Sequence, residues 1–138
     1  MATIHKEFLV QAPPEAAWDA IRDVGAVHTR LARGFVIDTA LDGDTRTVTF
    51  ANGLVARERI VAVSDPLRRL AYTSVGGRAS HHHASLQVFP AAGGQSRLLW
   101  ITDLLPDDLH GPVSQMVEHG ASAIQATLGQ GGGGEEAD

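Results

Sequence analysis

Four side chains with chemistry to offer fall on segments that read as β-strands. Glu58 lies in Leu54–Val63, Tyr72 in Arg69–Val75, His82 in Ser80–Phe89 and Trp100 in Arg97–Leu104. A carboxylate turned toward an apolar interior loses hydration, which suits it to general acid or base work near neutral pH. The competing reading of Glu58 is a solvated strand residue paired across the sheet with an arginine. An inward His82 would orient or protonate a ligand carbonyl, whereas an outward one is only the polar start of a strand. Tyr72 and Trp100 each join a large apolar body to one polar tip. That combination fixes a flat ligand by stacking plus one hydrogen bond, or fills a core.

Several other chemistries are excluded. The chain has no cysteine, so disulfides, thiol nucleophiles and thiolate zinc sites are absent. His81 and His83 lie two apart on the face opposite His82, but no third ligand with metal-site spacing accompanies them, and no metal or other cofactor is expected. Lys6 is the one lysine beside ten arginines, a poor basis for Schiff-base chemistry. The motifs GxSxG, HExxH and the phosphate-binding loop do not occur, and the C-terminal glycine run from Gly129 lacks the strand, helix and lysine that phosphate cradling requires. With a net charge of -5 and only Arg57/Arg59 and Arg68/Arg69 as close basic pairs, no nucleic-acid partner is expected.

The elements that must position these groups follow from patterning. The 138 residues, 43% of them hydrophobic, fit a single domain. Ile4–Val10 reads as a first strand. Pro13, Pro14 and Glu15 then open a helix to about Asp23 with Trp18 and Ile21 on its apolar stripe, and Gly25 stops it. Ala26–Gly34, with His28 and Arg30, is weakly patterned and reads as a short helix or loop. Six strands follow: Phe35–Leu41, Arg46–Ala51, Leu54–Val63, Arg69–Val75, Ser80–Phe89 and Arg97–Leu104. Turn residues join them as an antiparallel meander, and Asn52-Gly53 carries the signature of a two-residue type I′ turn. Beyond Pro106, Leu109, Val113, Met116, Val117, Gly120, Ile124 and Leu128 recur at helical spacing up to Gly129. The domain is thus expected over residues 1–129, with 130–138 a disordered Gly-rich acidic tail. No apolar run approaches the roughly 18 residues of a membrane span. The segment MATIHKEFLV lacks the features of a secretory signal, so a cytoplasmic protein without membrane insertion is expected.

Strand parity assigns faces. Arg46, Val48 and Phe50 share one; so do Leu70, Tyr72 and Ser74; His82, Ala84, Leu86 and Val88; and Leu98, Trp100, Thr102 and Leu104. These even sets read as inward. Leu54–Val63 is ambiguous, because Val55, Val61 and Val63 compete with Leu54, Ala56 and Ile60.

Six strings in order and spacing carry a resemblance: APPEAAWD from Ala12, RTVTFANG from Arg46, Glu58-Arg59, Asp65-Pro66, Leu70-Ala71-Tyr72 and Leu98-Leu99-Trp100. Together they resemble the START-like, Bet v 1-type (SRPBCC) superfamily, in particular its bacterial polyketide cyclase/dehydrase-like branch. The resemblance implies an α+β helix-grip fold: a seven-stranded curved antiparallel sheet wrapped on a long C-terminal helix, with two short helices after the first strand. It also implies a cavity between sheet and helix, and it tips Glu58 inward. Ligand contacts are then expected from Phe50, Tyr72, Trp100, Met116, Val117 and Gly120, with Glu58 and His82 as catalytic candidates and Ala26–Gly34 as a gate. A carrier of a small hydrophobic ligand, aromatic or polyketide-like, is the first expectation. A cyclase/dehydratase using Glu58 or His82 as acid/base is the second, and a protein-interaction or regulatory module with a filled core the third. An exposed edge between the first and last strands leaves monomer or homodimer open.

Overall fold

The computed structural model describes residues 1–133, with side chains as far as Gly129. Seven strands form one antiparallel sheet: β1 (Ala2–Val10), β2 (Val36–Asp42), β3 (Thr45–Phe50), β4 (Val55–Ser64), β5 (Arg69–Ser74), β6 (His81–Pro90) and β7 (Ser96–Leu105). The spatial order is β1-β7-β6-β5-β4-β3-β2, a meander whose last strand is closed by the first. Because β1 and β7 pair along their whole length, from Ala2 with Leu104 to Val10 with Ser96, the free edges are β1 and β2. The expected edge between first and last strands therefore does not exist.

Helix α1 (Pro14–Arg22) opens on proline at its first position, where a missing N–H costs no hydrogen bond, and carries Glu15 in its first turn and Arg22 in its last. Ala17, Trp18, Ala20 and Ile21 form its buried face. Trp18 and Arg22 both donate to the Asp65 carboxylate, at 2.8 and 2.9 Å, which ties α1 to the turn between β4 and β5. Val27–Leu31 follows as a single π-helical turn, with the Ala32 N–H donating to the Val27 carbonyl. The long helix α2 (His110–Gly133) lies across the sheet, and Lys6 on β1 reaches Glu118 on it at 2.9 Å. It runs through Gly129 rather than ending there. The remainder of the expected tail, from residue 134 on, lies outside the described residues.

Parity is as expected on four strands. Val48, Leu70, Tyr72, Ala84, Leu86, Val88, Leu98 and Leu104 are all buried. On β4 the competing odd-numbered residues Val55, Val61 and Val63 are all exposed. Register shifts at a β-bulge between Ile60 and Ala62, so Ile60 pairs with Tyr72, but Val63 pairs with Leu70. Even residues face inward before the bulge, and the odd-numbered Val63 shares the face of Leu70 beyond it. Two apolar clusters result. The larger joins α1, the π-helical turn, the sheet and the later part of α2 through Ile124 and Leu128. The smaller sits at the other end of α2, with Ile4, Leu104, Leu109 and Val117.

Candidate functional site

One turn decides which side chains meet inside the sheet. Between β3 and β4 the chain makes a three-residue loop, Ala51–Gly53, with the Gly53 N–H bonded to the Phe50 carbonyl and the Phe50 N–H to the Leu54 carbonyl. Only Gly53 has positive φ there, at 90°. The expected two-residue type I′ turn is thus replaced by the common three-residue form ending in a left-handed glycine. The two-residue turn of this sheet is instead Gly43-Asp44, between the paired Asp42 and Thr45, with φ of 63° at Gly43. The odd loop length sets the register: Arg46 stands opposite Glu58. A two-residue turn at Asn52-Gly53 would shift pairing by one, placing Glu58 opposite Thr47 on the other face.

Arg46 and Glu58 form an ion pair at 2.8 Å, with side chains only 5% and 13% exposed. The arginine also donates to the Val24 carbonyl at 3.3 Å and lies 5.0 Å from the centre of the Tyr72 ring, a cation–π contact. Glu58 thus faces inward and is held by an arginine across the sheet, but it is not the solvated residue of the competing reading. Trp100 Nε1 donates to the Tyr72 hydroxyl at 3.1 Å. Burial pushes the Tyr72 phenol well above its ordinary range, reinforced by the Glu58 carboxylate and opposed by Arg46 and by the Trp100 bond. Tyr72 is therefore a neutral phenol whose own proton finds no acceptor among the described residues.

These residues line a hollow of about 80 Å³ between sheet and α2, with Phe35, Phe50, Gly120 and Ile124 completing its walls beside Val27, Leu31 and Ala32 of the π-helical segment. Phe35 and Phe50 meet edge to face at 5.2 Å. Of the residues expected here, Glu58, Phe50, Tyr72, Trp100 and Gly120 come together. Met116 and Val117 do not: Val117 packs into the smaller cluster, one helical turn from Gly120. His82 is also outside the lining. Its Nδ1 accepts the Ser74 N–H at 3.0 Å, taking the place of a backbone acceptor where the β5–β6 ladder ends. Burial lowers its proton affinity and the neighbouring His83 and His81 lower it further, so the ring is neutral with its proton on Nε2. Glu58 and His82 share no common point in the hollow. A wider surface groove of about 300 Å³ runs between α1, the π-helical turn and α2, past Arg30, Arg33 and Thr127. Arg30 there is already bound by Asp19 and Asp23, and no carboxylate or histidine lines the groove itself.

Arg46 was missed as a site residue although its position was readable. It alternates with Val48 and Phe50 on an inward face, and an arginine at such a position needs a buried counter-charge. Phe35 and Ile124 carried no signal beyond apolarity.

Comparison with known proteins gives the same frame. A family described as polyketide cyclase/dehydrase and lipid transport matches residues 1–130. The protein XoxI from Bacillus cereus superposes with a TM-score of 0.81 at 19% identity, over 100% of both chains. An uncharacterised Bacillus thuringiensis protein gives 0.81 at 17% identity, over 92% of this chain and 98% of the other. A norcoclaurine synthase point mutant from Thalictrum flavum, in complex with a transition-state analogue, gives 0.70 at 19% identity, over 92% and 93%. At these identities the likeness is one of fold. No curated protein matches in sequence.

Proposed function

Since the chain belongs to the polyketide cyclase/dehydrase and lipid transport family, we propose that it binds a small hydrophobic molecule, aromatic or polyketide-like, between the sheet and α2. The observation that carries this reading is the polar group Arg46–Glu58–Tyr72 set into an otherwise apolar hollow. Stability alone gives little reason to keep such a group, because replacing a buried ion pair by apolar residues is often neutral or favourable. A guest would bury its apolar body against Phe50, Leu86 and Ile124, at about 25 cal/mol per Å² before ordering costs. Its polar atom would meet the Tyr72 hydroxyl. Native mass spectrometry of freshly purified protein tests this: one small apolar adduct is expected on the wild type and its loss or depletion in Tyr72→Phe. Protein that stays bare when offered a broad hydrophobic panel would overturn the reading.

A cyclase/dehydratase reading is favoured by one further observation, that Glu58 itself lines the hollow. In that reading Glu58 takes an acidic proton from a carbonyl-bearing chain and Arg46 holds the carboxylate in place. Glu58→Gln would then abolish turnover with guest affinity nearly unchanged, and equal turnover would exclude it. His82 supports neither acid nor base at this point, since its Nδ1 is engaged by Ser74.

A further inference from the structure

Trp100 stands where the size of a guest is decided. It wedges against α2 at an inward position that has no side chain. A Cβ at Gly120 would lie 3.0 Å from Trp100 Cη2, 3.1 Å from its Cζ3 and 3.3 Å from Phe35 Cε2. The indole also packs against both apolar clusters and so forms the partition between them. What it leaves open is about 80 Å³. An engineered apolar cavity that takes benzene measures roughly 150 Å³. The hollow beside Trp100 is about half that volume.

We propose that Trp100, backed by Gly120, is the size-determining residue of the hollow and a placeholder for the guest, and that the guest is a ring bearing a hydroxyl, a phenol or enol. The inference rests on the ligand-binding reading above. The indole N–H donates to the Tyr72 hydroxyl. A ring that displaces the indole must restore a donor at that oxygen or leave a buried acceptor unmet. A hydroxyl does so by donating to that oxygen, the one hydrogen bond that two facing hydroxyls can share, so the Tyr72 proton is not taken by it as well. A ketone can take that proton but cannot supply the lost donor.

The test is calorimetric titration with 2-naphthol and with 2-methoxynaphthalene, whose oxygen has no proton to donate. Trp100→Leu is expected to bind 2-naphthol at least tenfold tighter than the wild type, and Trp100→Phe to fall between them. Gly120→Ala, which presses the indole into the hollow, is expected to bind more weakly than the wild type. In the Trp100→Leu background 2-naphthol should exceed 2-methoxynaphthalene, and adding Tyr72→Phe should erase the difference. Equal affinity of the wild type and Trp100→Leu for 2-naphthol would overturn the role of Trp100 while leaving ligand binding intact. Equal affinity for the two probes would overturn the hydroxyl assignment. If neither probe binds the wild type, Trp100→Leu or Trp100→Phe, all folded by circular dichroism, the ligand-binding reading falls and takes this inference with it.

Discussion

Arg46 and Glu58 hold each other in a place where neither could stand alone. With side chains 5% and 13% exposed, each charge has given up most of its water and is compensated chiefly by the other. Removing one partner leaves an unpaired buried charge, a change that typically costs about 3–5 kcal/mol, whereas replacing both is often neutral or stabilising by about 1–4 kcal/mol. Arg46→Met is therefore expected to lose about 3–5 kcal/mol of stability in urea denaturation. Adding Glu58→Leu should restore the wild-type midpoint or exceed it. A double variant as unstable as the single one would mean that the pair is needed for folding, which would remove the main support for its functional role. The Tyr72 ring, stacked 5.0 Å from the Arg46 guanidinium, is the third member of this group and the one with a proton to offer.

At the scale of elements, the β3–β4 hairpin does most to assemble the site. Its three-residue loop places Gly53 at φ 90°, a conformation in which an L side chain meets its own backbone. Gly53→Ala is expected to cost about 1–2 kcal/mol by urea denaturation, the usual penalty for a left-handed non-glycine residue. No neighbour stands within 4 Å of a Cβ there, so the loss would be one of backbone strain and not of packing. An unchanged midpoint would contradict this account of the turn. The bulge at Val61 is the second decisive element. It changes which parity of β4 pairs on the face of Leu70, while the odd-numbered Val55, Val61 and Val63 all stay exposed.

The whole molecule stores a pH dependence in the seam between β5 and β6. His82 is held half-buried as a neutral ring, and its proton affinity in the folded protein is below the ordinary value of 6.5. The unfolded chain therefore binds a proton more readily, and this contribution to stability is complete above about pH 6.5 and is lost as pH falls toward the folded value. Unfolding free energy should decline between pH 7 and 5, and His82→Asn, which keeps an acceptor for the Ser74 N–H, should flatten that slope. A slope of the same size in the variant would assign it elsewhere. Asp19 and Asp65, held down by hydrogen bonds from Arg30 and from Trp18 and Arg22 respectively, lose their contribution only at lower pH, below the ordinary carboxylate value of 3.8. The two windows can thus be separated in one titration.

Alternation, turn residues and helical spacing are local properties, and so every strand was legible in the sequence to within two residues, as were the opening of α1 and the apolar stripe of α2. The inward parity of Tyr72 and Trp100 followed from the same period of two. Three things waited on tertiary structure. Loop length between β3 and β4 fixed the partner of Glu58, because one residue more or less reverses a face. The bulge in β4 could not be read from an alternating string that already looked ambiguous. The smallness of the hollow arose from contact between Trp100, Phe35 and Gly120, which are far apart in sequence. How closely a helix settles on a sheet depends on side chains meeting across that distance, and no local pattern encodes it.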